Sequence, residues 1–166
     1  MVEARRRKQA KDAPVQGVRI LIVESGYYEE IAATLLAGAR RALDAAKVRY
    51  DVVTVPGALE IPQAVAIALG AARGAEAYDG VIALGCVIRG ETSHYDIVAG
   101  ESARALLDIG VVRGVPVGNG ILTVDTEAQA RARAGLDGGD KGGVAAAAAL
   151  ALVRLKRDRA SPRKRR

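Results

Sequence analysis

The 166 residues carry 25 Lys and Arg against 19 Asp and Glu, 50% are hydrophobic, and the only aromatic side chains are five Tyr. That length accommodates one domain with a single core, filled here by Ala, Val, Leu and Ile, whose small side chains each bury little area and so favour sharing surface with further copies of the chain. One cysteine, Cys86, excludes an intrachain disulfide, and the longest apolar run, residues 144–153, is too short for a bilayer span of about 20 residues.

Charge is concentrated at the ends. Residues 1–19 carry six basic and two acidic side chains, residues 154–166 carry eight and one, and the body between them carries eleven and sixteen. Like-charged termini poor in apolar residues are expected to stay flexible, so 1–17 and 158–166 are read as basic tails around a domain at 18–157. Neither tail interleaves aromatics with its charge, which speaks against nucleic acid as a partner. The N-terminus lacks the apolar stretch of a signal peptide, and a lone cysteine fits a reducing compartment, so a cytoplasmic protein without membrane association is expected.

From residue 18 onward two periodicities alternate. Residues 18–23 are short, β-branched and bounded by Ser25 and Gly26, which predicts a buried strand. Ile31, Leu35, Ala39 and Leu43 recur at helical spacing within 28–46. Residues 50–55 form a second predicted strand, stopped by Pro56 and Gly57, and 61–73 a second helix that tolerates Pro62 in its first turn. A third strand is predicted at 80–84, followed by a glycine-bearing loop and a helix at 93–109. A fourth strand is expected at 115–122, weakened by Gly118 and Gly120, then a short helix at 126–134 and a final helix from about 144 to 156. Strands that alternate with helices specify a parallel sheet covered on both faces. The expected architecture is α/β: a three-layer α/β/α sandwich with a four-stranded parallel sheet, flavodoxin-like, whose ligands sit beyond the carboxyl ends of the strands.

The residues able to do chemistry fall at that edge. His94, the only histidine, follows strand three at the start of a helix, and an imidazole is the side chain suited to moving protons near neutral pH. One His and one Cys without CxxC or HExxH make no metal site. Gly90, Thr92 and Ser93 precede a helix N-terminus, where free N–H groups and the positive dipole end hold anions; capping by Thr92 or Ser93 is compatible with that role. Neither a Walker A motif nor GxGxxG is present, which speaks against ATP and NAD. Glu60 stands at a helix start after the rigid turn at 56–62, equally readable as a favourable charge and as a ligand group. Arg133 and Lys141 flank a glycine-rich segment and together are suited to a phosphate.

Taken in order, the segments resemble the 6,7-dimethyl-8-ribityllumazine synthase family. Val55-Pro-Gly-Ala-Leu-Glu-Ile-Pro62 is similar to its VPGAxEIP, Leu84-Gly-Cys-Val-Ile-Arg-Gly-Glu-Thr-Ser-His-Tyr-Asp96 to its LGxVIRGxTxHxD, Gly120-Ile-Leu-Thr123 to its G(I/V)LT, and Arg133-Ala-Gly135 with Asp140-Lys-Gly142 to its RAG…NKG. The resemblance spans about residues 18–157. It implies condensation of 5-amino-6-(D-ribitylamino)uracil with 3,4-dihydroxy-2-butanone 4-phosphate, releasing phosphate and water, with no cofactor. It further implies that His94 donates and accepts protons, that Glu91 and Thr92 lie where the family binds the phosphate ester, and that Arg133 is its cationic partner. Ala58, Leu59 and Glu60 would hold the ribityl chain and ring, Cys86, Val87 and Ile88 would line the pyrimidine site, and Tyr27 would lie over the heterocycle.

Two positions depart from the family's pattern. Asn119 stands where many members carry Phe on the wall contributed by a neighbouring subunit, and Asp137 and Asp140 replace a basic residue and an Asn. The resemblance implies a homo-oligomer, a pentamer or an assembly of pentamers, with sites between subunits. Two rival readings are a different α/β enzyme acting on a phosphorylated sugar, and a shell or scaffold of the same fold that uses its basic tails to hold nucleic acid.

Overall fold

The computed structural model describes residues 15–160, so the basic tails expected at 1–17 and 158–166 lie largely outside the described residues. Each β-branched run becomes a strand: β1 at Arg19–Ser25, β2 at Arg49–Val55, β3 at Gly80–Ile88 and β4 at Val117–Val124. The helices between and after them are α1 (Glu29–Ala45), α2 (Glu60–Ala71), α3 (His94–Arg113), α4 (Glu127–Ala134) and α5 (Lys141–Ala160), with a 3₁₀ turn at Gly74–Glu76. All pairings are parallel and the strand order is β2-β1-β3-β4.

The sheet's two faces follow from the period of two along a strand. Ile20 and Ile22 of β1 with Ile82 and Leu84 of β3 pack against Ile31, Leu35 and Leu43 of α1 and the alanines of α4 and α5. Leu21, Val23, Val81 and Ala83 face the other way, onto Ile61 and Val65 of α2 and Val98 and Leu106 of α3. Helices therefore cover both faces, as the alternation predicts. Because the chain reaches β3 by passing β1, the order of strands reverses between these two. A crevice opens there beyond their carboxyl ends.

Two boundaries and the reading of β4 differ from expectation, each for a tertiary reason. β3 continues through Gly85 to Ile88 instead of ending at Leu84, because Gly85–Ile88 pair with Ile121–Val124 of β4. Gly118 and Gly120 do not weaken β4. They let α5 lie close to it, and a methyl group on Gly118 would overlap the carbonyl of Ala145. Gly118→Ala is accordingly expected to lose about 3 kcal/mol of stability by overpacking; a urea midpoint equal to that of the unchanged chain would contradict this contact. The last helix starts at Lys141 rather than 144. Its buried Gly142 and Gly143 sit against α1, where a side chain on Gly142 would meet the carbonyl of Leu35. Asp140 stabilises that start in a left-handed conformation (φ 38°). Its carboxylate accepts the Gly143 N–H at 3.2 Å and pairs with Arg41 at 2.8 Å.

Among the described residues no helix is long and apolar enough to cross a membrane.

Candidate active site

A cleft of about 390 Å³ occupies the crevice between the ends of β1 and β3. Three segments that follow strands build its walls. After β1, the Gly26 N–H donates to Val55 O at 3.1 Å, and Tyr27 N–H donates to the Oγ of buried Ser25, which in turn donates to Pro56 O, both at 3.4 Å. This buried hydroxyl ties the first turn to the second. Tyr27 is held 71% exposed at the rim, edge-on to Tyr28 with ring centroids 5.0 Å apart. After β2, Gly57–Glu60 close the turn through the Glu60 N–H to Gly57 O, 3.3 Å. Cys86, Val87 and Ile88 at the end of β3 form the back, and Gly90, Thr92 and His94 the remaining side.

His94 is the first residue of α3 and is exposed. Its N–H donates to Thr92 Oγ1 at 3.4 Å. Ser93 makes no side-chain capping hydrogen bond, so of the two capping candidates Thr92 alone acts, at a helix N-terminus of the kind that suits an anion.

The structure thus brings together Tyr27, Ala58, Leu59, Glu60, Cys86, Val87, Ile88, Gly90, Thr92 and His94 in one cleft. It leaves four candidates outside. Glu91 is exposed on the turn but does not line the cleft. Arg133 lies in the last turn of α4 and donates to Gln129 O of its own helix at 3.4 Å. Lys141 begins α5. Asn119 projects from β4, its Oδ1 accepting the Ile121 N–H at 2.9 Å, and lines a separate apolar groove of about 660 Å³ between α3, β4 and α5. No Lys or Arg lines the cleft among the described residues: a single chain offers a phosphate N–H groups and hydroxyls but no cation.

Tyr28, Tyr95 and Val98 also line the cleft and were not singled out from the sequence. The signal for Tyr95 was its place beside His94; Tyr28 was read only as a helix start. Burial, then the nearness of Tyr27, Cys86 and Glu127, holds the Tyr28 phenol above its ordinary range. Arg89 is a further residue the motif contained and the reading passed over. Desolvation works against its charge, but Asp96 and hydrogen bonds to Asp125 and Asp96 outweigh it and hold the guanidinium above its ordinary range.

Burial pushes the Cys86 thiol up to about 11, so it stays protonated at pH 8 although it lines the cleft. Alkylation by iodoacetamide at pH 8 is expected to run about 100-fold slower in the native chain than in the unfolded one, following the thiolate fraction. Equal rates would remove the buried setting of this thiol.

Among the described residues no group of three or more His, Cys, Asp or Glu is placed to hold a metal ion.

The chain matches the family model described as 6,7-dimethyl-8-ribityllumazine synthase over residues 17–157. It is similar to proteins of that name from Azorhizobium caulinodans (60% identical, covering 95% of this chain and 98% of the relative). The corresponding figures are 63%, 92% and 92% for Methylobacterium radiotolerans, and 57%, 95% and 97% for Nitrobacter winogradskyi.

Proposed function

The chain belongs to the 6,7-dimethyl-8-ribityllumazine synthase family, and from that premise we propose that the His94 cleft condenses 5-amino-6-(D-ribitylamino)uracil with 3,4-dihydroxy-2-butanone 4-phosphate. The protein is a transferase of riboflavin biosynthesis. The amine of the pyrimidine adds to the ketone and water leaves, giving a Schiff base. Phosphate is then lost, and closure of the second ring releases water. Each step moves protons on or off nitrogen and oxygen, and His94 is the group in the cleft suited to carry them.

The observation that carries this reading is the juxtaposition, in one crevice, of an exposed imidazole with the free end of α3 and the turn at Gly57–Glu60. The ester's phosphate is placed at Gly90–Thr92 on backbone N–H groups, with Glu91 on the same turn. The pyrimidine lies against Cys86, Val87 and Ile88 under Tyr27, with the ribityl chain along Ala58, Leu59 and Glu60. Stacking by one ring contributes about 1 kcal/mol.

The missing cation is supplied, in this reading, by Arg133 of a neighbouring copy, with Lys141 close behind it in sequence and Asn119 on the adjoining wall. The apolar groove supports such an assembly: Val111 on its wall is 74% exposed, Leu107, Leu152 and Leu155 are exposed with it, and the next residue of α3, Val112, is 81% exposed. A patch of this kind marks a protein–protein contact. We take the assembly to be a pentamer or a set of pentamers in the cytoplasm, with 18–157 as the synthase domain. Incubating the purified protein with both substrates tests the reaction. Lumazine absorbance should rise with release of one phosphate per product; its absence, with intact circular dichroism, would leave an α/β enzyme of other substrate.

A further inference from the structure

Segment 89–93 joins β3 to α3 and carries both the anion-binding turn and the approach to His94, yet all five of its residues are exposed. Nothing in the hydrophobic core holds it in place. Its first residue supplies the restraint. The Arg89 N–H donates to Val124 O at 2.9 Å, continuing the β3–β4 ladder by one bond. The side chain then reaches three residues on two elements. Nε donates to Asp125 Oδ1 in the turn after β4 at 3.2 Å, Nη1 to Asp96 Oδ1 in the first turn of α3 at 3.4 Å, and Cζ stands 4.0 Å from the centre of the Tyr95 ring. Asp125 is itself fixed, its N–H donating to Gln129 Oε1 of α4 at 2.9 Å.

Tyr95 and Asp96 follow His94 directly in the chain, while Arg89 precedes Gly90. One planar guanidinium therefore clips the two ends of the segment together and fastens both to β4. Gly90, Thr92, His94 and Tyr95 line the cleft, whereas Arg89 does not. Its charge is directed at carboxylates of its own chain.

We propose that Arg89 is a positioning residue of this active site, whose bridge from Asp125 to Asp96 and Tyr95 holds Thr92 and His94 in the arrangement the reaction requires. The inference rests on the reading that the His94 cleft performs the condensation. Exposed ion pairs add little to stability, so the consequence lies in geometry. A reacting group displaced by about an ångström loses up to about 100-fold in rate, and without the guanidinium only the Arg89 backbone bond to Val124 ties this exposed segment to β4. Lys cannot replace Arg here, because a point charge cannot serve two carboxylates and a ring in one plane.

The test compares R89A, the pair D96A/D125A and the triple variant with the unchanged chain, reading kcat, KM for each substrate and the thermal midpoint. The expected result is a kcat about 10-fold lower in R89A, the same loss in D96A/D125A, no further loss in the triple variant, and unchanged midpoints. Partial recovery of R89A by added guanidinium fits the same picture. R89A at the rate of the unchanged chain overturns the proposal. So does loss in R89A with full activity in D96A/D125A, since Arg89 would then act other than through the two carboxylates. If R89A does not fold, the carboxylate pair decides alone: folded with lowered kcat supports the bridge, folded with full kcat overturns it. Failure of the reaction reading shows separately, as an unchanged chain that makes no lumazine.

Discussion

Equimolar His94→Ala and Arg133→Ala chains, unfolded and refolded together and assayed with the phosphate substrate well below its KM, are expected to recover about a quarter of the unchanged chain's rate, although each variant alone keeps about a tenth of it or less. The reason is the separation of the two side chains within one fold. His94 opens α3 at the cleft, while Arg133 ends α4 on the opposite layer and is absent from the cleft lining. If the phosphate's cation comes from a neighbour, a mixed ring contains sites built from one chain with an intact His94 and one with an intact Arg133. Random mixing makes about one site in four of that kind. Arg133→Ala alone should raise KM for the phosphate substrate by at least about 10-fold, the loss of one charge-assisted contact, and leave KM for the pyrimidine nearly unchanged. A mixture no more active than its parts, or equal rises in both KM values, would place Arg133 outside the site.

His94→Ala is expected to lower kcat by about 100-fold with an unchanged unfolding midpoint. General acid–base catalysis contributes about 10²–10⁴-fold. The low end applies because the imidazole is exposed and water can carry part of the proton traffic. Its side chain belongs to neither hydrophobic cluster, so stability has nothing to lose. A variant turning over at the original rate would take His94 out of the mechanism.

Much of the site was legible in the chain because its residues come from the carboxyl end of β3 and from turns that directly follow strands. Ala58–Glu60 and Cys86–His94 converge on one crevice as soon as the sheet is parallel and its order reverses between β1 and β3. What was misread was backbone context. A glycine between apolar residues ended the predicted third strand at Leu84, although pairing with β4 carries it to Ile88. Gly118 and Gly120 read as weakening the fourth strand, and the last helix was expected only after Gly142 and Gly143, yet these are places where α5 presses on β4 and α1. Ser25 and Arg89 each depend on a partner distant in sequence, Pro56 and Asp125, which local pattern does not reveal.

Periodicity and turn chemistry alone thus determined the number and kind of most elements, the parallel sheet and the motifs that identify the family, because these depend on residues within a turn or two of one another. Three matters were decided only in the folded chain: which glycines mark packing, how a guanidinium bridges α3 and the turn after β4, and that Arg133 and Asn119 stand away from the cleft. They hinge on distances between segments tens of residues apart, which close packing, not local preference, sets.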